Sequence, residues 1–210
     1  YPRGAADAPF LTNHDQIRVA TQFGGDPAGL RSAAAILLTL PGSPCLYYGE
    51  EIGMQNGRGG NDEWKRTPLA WDASPGGGFT AGVPWWPFAP GAAAANVAAQ
   101  TGDPGSLFSR YRALIRTRKA SPALTRGDLH LLSPSSGVAP VLVFARAVPG
   151  ETVLVAHSLS YAYEQLGPFD LPGISAVPLL ADPGATLQGG SGAWQVALPP
   201  RSTGIWRLVP

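Results

Sequence analysis

Apolar positions come in short blocks cut by polar ones. Ala8 to Leu11 reads as a short buried strand that stops at Asn13-His14-Asp15-Gln16. Asp26-Pro27 is a helix start, with Asp as N-cap and Pro at the first helical position. Leu30, Ala34, Leu37 and Leu38 follow at helical spacing, and Pro41-Gly42 ends the run. Cys45 to Tyr48 reads as a second buried strand, and Glu50-Glu51 follow it at once. From Met54 to about Gly102 no period is sustained. A second Asp-Pro start, Asp103-Pro104, opens an amphipathic helix. Its stripe is Leu107, Tyr111, Leu114 and Ile115, with Arg110, Arg112, Arg116 and Arg118 mainly off it, and Ser121-Pro122 closes it.

From about Gly127 the pattern changes to short β-prone runs between Gly, Pro and Ser. These are Leu129 to Leu132, Val141 to Ala145, Thr152 to Ala156, Ala176 to Leu180, Trp194 to Leu198 and Gly204 to Val209. That spacing predicts a small antiparallel sandwich or barrel. The boundary falls near Arg126, dividing the chain into 1–126 and 127–210, and no internal repeat is visible. Strand, helix, strand, long loop and helix in the first part suit β/α units of a parallel sheet or barrel. In a (β/α)8 barrel the reactive groups sit just past the C-terminal ends of the strands, where both polar clusters stand. Two such units cannot close a barrel.

Composition narrows this further. With 44% hydrophobic residues the chain can build a core, and its 27 glycines and 22 prolines favour turns and long loops over low-complexity disorder. A net charge of +1, with no basic stripe or acidic run, gives no reason to expect nucleic acid or an anionic membrane as partner. The single cysteine, Cys45, cannot form an internal disulfide and, in a buried strand, is expected to be inert. No run is long enough for a transmembrane helix, and no signal peptide is recognised. The chain opens with Tyr1 and a loop, Pro2 to Pro9, so part of a longer protein is expected; localisation stays open.

Asp15 is the first candidate for chemistry. A carboxylate beside an imidazole can hydrogen-bond vicinal hydroxyls or stabilise developing positive charge; the same quartet also suits a capped turn. Glu50-Glu51 on an extended chain point to opposite sides and fit framework salt bridges better than an acid/base pair. Arg66 lies between Trp64 and Trp71 near Asp62 and Asp72, an arrangement suited to a polyhydroxylated ligand or an ordinary ion pair. Tyr47-Tyr48 fit core and rim, and Trp85-Trp86 fit fastening of the loop better than stacking on sugar. His14, His130 and His157 are far apart and form no metal-binding motif, and no GxSxG, Walker loop or GxGxxG occurs.

Several stretches in order resemble the C-terminal half of the α-amylase family, glycoside hydrolases built on a (β/α)8 barrel. FLTNHDQIRV resembles the conserved region after the seventh strand, and LPGSPCLYYGEEIGM that of the eighth. NDEWKRTPLAWD is similar to a loop that often reads Arg-Thr-Pro-Met-Gln-Trp; FTAGVPWWPFAP and NVAAQTGDPGSLFSRYRALIRTR resemble the passage into the eighth helix. The resemblance implies an α/β fold: the last two β/α units of a TIM barrel, then an all-β sandwich C-terminal domain. It implies that Asp15 is the transition-state-stabilising carboxylate, that His14 binds the same sugar, and that Arg66 binds the terminal glucose in exo-acting relatives. Glu50, Glu51 and Tyr48 match framework positions.

The implied activity is retaining hydrolysis of α-glucosidic bonds in α-glucans or maltooligosaccharides. The nucleophile and general acid come from earlier strands in this family, so the chain alone is expected to be inactive. No cofactor is expected within the chain; the calcium site of many relatives belongs to upstream sequence. Leu69-Ala70 replaces Met-Gln before Trp71, and His157 stands where Asn is frequent, with a structural effect expected. The alternatives are a trehalose synthase-like isomerase or transglycosylase, and a catalytically inactive amylase-like subunit.

Overall fold

The computed structural model describes residues 6–132, 140–190 and 192–210; the first residues of the expected opening loop lie outside them. The chain divides into two compact units, Ala8–Ala34 with Pro44–Arg112, and Tyr1–Asp7 with Ala35–Ser43 and Ala113–Pro210.

In the first unit the two runs expected as buried strands make a single parallel bridge, Phe10 to Cys45, with the Cys45 amide donating to the Pro9 carbonyl at 2.8 Å. Pro9 and Pro44 have no N–H, which curtails a ladder with one neighbour. Phe10 and Leu46 are 47% and 40% exposed, and Cys45 is exposed as well, which corrects the expectation of buried strands and a buried thiol. The parallel sense is the one a βαβ unit requires. A short helix, α1 (Val19–Gln22), precedes α2 (Pro27–Thr39). Asp26 caps α2 as expected, accepting from the Ala28 and Gly29 amides at 3.1 Å each. Val19, Ala20, Leu30 and Ala33 form one apolar cluster, and Ile52, Met54 and Ala89 another.

Glu50–Ile52 and Asp62–Lys65 are 3-10 turns, so Glu50-Glu51 do not lie on an extended chain. Glycine is required at Gly49, where φ is +86° and a Cβ would lie 2.9 Å from Met54 Cβ. The long loop carries α3 (Val97–Thr101), capped by Asn96, which accepts from the Ala99 amide at 2.8 Å. The next helix, α4 (Leu107–Ala120), starts later than Asp103-Pro104 predicts. Asp103 spends its carboxylate on the Gly105 amide at 2.8 Å, and the Ser106 hydroxyl accepts from Ser109 N at 3.1 Å instead, so Ser106 is the working cap. Arg110 and Arg118 are buried, against the expectation that the arginines lie mainly off the packed stripe.

In the second unit, α5 (Pro122–Arg126) follows directly, with Ser121 as N-cap. Among the described residues eight strands then run: β1 (Asp128–Leu131), β2 (Val141–Val148), β3 (Glu151–Ser158), β4 (Glu164–Phe169), β5 (Ser175–Ala181), β6 (Thr186–Gln188), β7 (Trp194–Leu198) and β8 (Thr203–Val209). They form an antiparallel five-stranded sheet, β1-β2-β3-β8-β5, and a three-stranded sheet, β4-β7-β6. One apolar cluster joins them: Val143, Leu154 and Trp206 from the larger sheet, Leu166, Trp194 and Leu198 from the smaller. Each such side chain removed from water contributes about 1.5–3 kcal/mol.

The other face of β2 and β3 packs on α5. Arg146, fully buried there, has carbonyls as partners: Thr39 at 2.7 Å from Nη1, and Gly127 at 2.8 Å from Nη2 and 3.2 Å from Nε. Burial pulls its guanidinium down to about 10. Arg118 donates to the Leu38, Leu40 and Gly42 carbonyls at 2.6–2.9 Å. The end of α2, which has no basic residue of its own in its last turn, thus receives two cations from elsewhere, the favourable sign for its dipole. His157 is buried between hydroxyls, its Nε2 3.0 Å from Thr39 Oγ1 and its Nδ1 3.0 Å from Thr203 Oγ1.

Candidate active site

Asn13-His14-Asp15-Gln16 leave the Phe10 bridge as a turn. The Gln16 amide donates to the Asn13 carbonyl at 3.2 Å, and the Asp15 amide to Asn13 Oδ1 at 2.9 Å. The turn-capping role weighed from sequence therefore falls to Asn13, which frees the Asp15 carboxylate. That carboxylate is 63% exposed, with Oδ1 2.9 Å from Arg66 Nη2 and Oδ2 3.3 Å from His14 Nε2. The three residues singled out from sequence are thus brought together, although Arg66 is more than fifty positions from the other pair's start.

Arg66 does more than pair with Asp15. Its Nη2 also reaches Asp62 Oδ2 at 3.2 Å, and its Nε donates to the His14 carbonyl at 3.2 Å. Asp72 is not part of this set; it binds its own turn at Ser74. At this exposure each ion pair adds at most about 1 kcal/mol to stability, so the network's effect is orientation.

Two residues of the surroundings escaped the sequence reading. Lys65 Nζ donates to the Asp15 carbonyl at 3.1 Å and to Asp62 Oδ1 at 3.0 Å; that second bond holds the Asp62 carboxyl below its usual range. Arg18 is fully buried, donating from Nε to the Lys65 carbonyl at 3.0 Å and from Nη1 to the Tyr48 carbonyl at 2.6 Å. Its guanidinium lies over the rings of Tyr47 and Tyr48, 4.3 and 4.6 Å from their centroids. The Tyr47 and Tyr48 hydroxyls donate to the Lys65 and Thr67 carbonyls at 3.1 and 2.8 Å. Burial pushes the Tyr47 phenol up to about 12, so it remains a donor. Adjacency in NHDQIR and in KR was the available signal for Arg18 and Lys65.

Glu50 is buried and accepts from the Thr12 hydroxyl and, at 3.3 Å, from the Tyr47 amide, a framework role. Trp86 meets the Trp64 ring edge-on at 5.4 Å, whereas Trp85 is 57% exposed, so fastening falls to Trp86. Among the described residues no group of three or more His, Cys, Asp or Glu side chains is placed to hold a metal ion, and no helix is long and apolar enough to cross a membrane.

A carboxylate flanked by a guanidinium and an imidazole, open to solvent on a braced turn, offers acceptors and donors side by side to vicinal hydroxyls. The chain's α/β fold is shared with solved enzymes. An isomaltulose synthase mutant from Erwinia rhapontici NX5, in complex with D-glucose, superposes with a TM-score of 0.77 at 28% identity, over 97% of this chain and 43% of that one. A MutB mutant in complex with glucose gives 0.81 at 27% identity, over 99% of this chain and 44% of that one. The model of the α-amylase catalytic domain matches residues 2–127. This chain belongs to the α-amylase family. Among curated relatives, Alpha-amylase 3 of Dictyoglomus thermophilum is 34% identical over 159 residues, 74% of this chain and 30% of the relative. The oligo-1,6-glucosidase of Halalkalibacterium halodurans is 30% identical over 202 residues, 78% of this chain and 35% of the relative. The chain thus spans about a third of the length of these relatives.

Proposed function

We propose that the chain is the C-terminal portion of a retaining glycoside hydrolase that cleaves α-glucosidic bonds in maltooligosaccharides or starch-like α-glucans. Residues 1–126 supply the last two β/α units of a (β/α)8 barrel, and residues 127–210 a β-sandwich domain. The match of the α-amylase catalytic-domain model to residues 2–127 supports this division of labour, as does a parallel pairing with reactive side chains just beyond it.

The observation that carries the reading is the convergence of Arg66 and His14 on the open carboxylate of Asp15. Asp15 grips hydroxyls of the sugar at the point of cleavage and, as an anion, favours the oxocarbenium-like transition state over the neutral ground state. His14 donates to the same sugar. Arg66 fixes the carboxylate and contributes donors to the terminal glucose. Retaining hydrolysis also takes a nucleophile and a general acid, two carboxyl groups about 5–5.5 Å apart across the bond. Both are assigned to sequence outside this chain, as is any calcium site, so the chain alone is inactive.

The test is Asp15→Asn in the intact protein. Turnover of maltose is expected to fall by about 10²–10³-fold or more with the fold retained; near-normal turnover in a folded variant would sink the role. A second reading, isomerisation or transglycosylation, draws on the isomaltulose synthase and trehalulose synthase among the similar structures. Product analysis on maltose and sucrose separates the two: free glucose supports hydrolysis, a rearranged disaccharide supports isomerisation. Joint presence of His14 and Asp15 speaks against an inactive amylase-like subunit.

A further inference from the structure

The outward face of the three-stranded sheet is dished. Alternation turns Leu166, Trp194, Val196 and Leu198 into the core, so Gln165, Gln195 and Ala197 face out, joined by Thr186 and Gln188 from β6. The register sets Ala197 between Gln165 and Thr186, and Gln195 opposite Gln188. Ala197 contributes only a methyl group at the centre, and Gly167, where the β4–β7 register shifts, contributes none. Longer side chains and Tyr163 stand around this floor and rim a half-open concavity of about 200 Å³. At ~30 Å³ per water that is the space of roughly seven waters, the bulk of a single sugar ring.

Its chemistry is selective. The lining has three carboxamides, a hydroxyl and a phenol, and no charged side chain. Among the described residues none hydrogen-bonds to the side chains of Gln165, Gln188 or Gln195. Each amide offers two donors and a two-lone-pair acceptor. An ionic ligand would find no countercharge here, and an apolar one would strand these groups at about 1–3 kcal/mol each. A neutral polyol satisfies them: vicinal hydroxyls pair with the amides while a C–H face lies on the exposed Tyr163 ring.

We propose that this concavity binds one ring of a neutral oligosaccharide and so holds a sugar chain on the β domain, using none of the residues around Asp15. Such a contact raises the local concentration of a polymeric substrate without altering the bond-breaking step. The sugar chemistry stands on the lining alone; the choice of an α-glucan rests on the function proposed above.

The test titrates maltotriose, and cellotriose in parallel, into the intact protein, its Asp15→Asn form, and Asp15→Asn forms that also carry Gln195→Ala, Gln165→Ala or Ala197→Phe. Calorimetry reads binding, and hydrolysis of a small α-glucoside by the single variants reads turnover. The expected result is maltotriose binding that persists in Asp15→Asn and weakens about fivefold or more on loss of one amide, the worth of about one hydrogen bond. Turnover of the small substrate stays within about twofold in Gln195→Ala, an exposed position whose loss leaves the fold intact. Gln195-dependent binding of cellotriose alone keeps the site and replaces the sugar. Affinity for both sugars unchanged in Gln195→Ala and Gln165→Ala, or no binding of either in Asp15→Asn, overturns the proposal. Failure of the enzymatic reading is separate: no α-glucoside is turned over, yet Gln195-dependent binding remains.

Discussion

The buried guanidinium of Arg18 donates to the backbone carbonyl of Lys65 at 3.0 Å. That bond ties the turn bearing His14 and Asp15 to the loop bearing Lys65 and Arg66, and it does so through the main chain.

Arg18 is therefore a positioning residue. Arg18→Met keeps the bulk but leaves the Tyr48 carbonyl without its donor and the Lys65 carbonyl with only the Tyr47 hydroxyl. Hydrogen bonds from a charged donor are worth about 1.5–3 kcal/mol each, so a loss of roughly 3 kcal/mol is expected in urea unfolding. Arg18→Lys supplies one point charge where a fork spans two carbonyls and should recover less than half of that. Full recovery by lysine would show that charge, and not the fork, matters.

Glu50 makes stability depend on pH in a direction opposite to that of a salt-bridged carboxylate. Burial raises its carboxyl above the ordinary 4.5, against hydrogen bonds from Thr12 and Tyr47 that act the other way. The folded state then holds the proton more tightly than the unfolded one. The Glu50 contribution is fully present below about pH 4.5 and is lost as pH rises through the folded value. Glu50→Gln lacks this dependence. The stability of the natural protein relative to Glu50→Gln should increase as pH falls from 7 to 5, read from paired urea titrations. A difference that is flat or reversed in sign refutes the assignment.

What could be read in the chain beforehand follows from where the interactions lie. Helix α2 was visible because Asp26-Pro27 and the Leu30, Ala34, Leu37 spacing act locally. The start of α4 was misplaced because the Asp103 carboxylate turns back onto Gly105. Strand β4 went unseen because Gly167-Pro168 interrupts its alternation, and β6 because only Leu187 among its residues is apolar. At the site, His14, Asp15 and Arg66 stood out by residue type. Arg18 and Lys65 did not, since what they contact are carbonyl oxygens, which every residue carries and no side-chain pattern records.

Arg146 supplies a stability prediction free of the site. It is fully buried, and its donors satisfy the Thr39 and Gly127 carbonyls. Arg146→Met leaves both buried acceptors unpaired, at about 1–3 kcal/mol each. The urea midpoint should fall with the slope unchanged, because the surface exposed on unfolding is similar. A neutral result would mean that water or a shifted side chain takes over both carbonyls.

Arg66 separates geometry from charge at the site itself. Its fork reaches Asp15 Oδ1 at 2.9 Å and Asp62 Oδ2 at 3.2 Å while Nε holds the His14 carbonyl at 3.2 Å. A lysine ammonium can reach one of these groups but cannot fix the plane of the Asp15 carboxylate against the other two. In the intact protein Arg66→Lys should lower kcat/KM on maltose by about 10–100-fold, the loss expected when a reacting geometry slips by a fraction of an ångström. Thermal stability should move little, since the side chain is 38% exposed and such pairs contribute about 1 kcal/mol or less. Asp62→Asn keeps the shape and removes one anion, so Arg66 leans further toward Asp15 and the effect on kcat/KM should be smaller than that of Arg66→Lys. If Arg66→Lys is as active as the natural protein while Asp62→Asn is impaired, the carboxylate is held by Asp62 and Lys65 and not by the Arg66 fork.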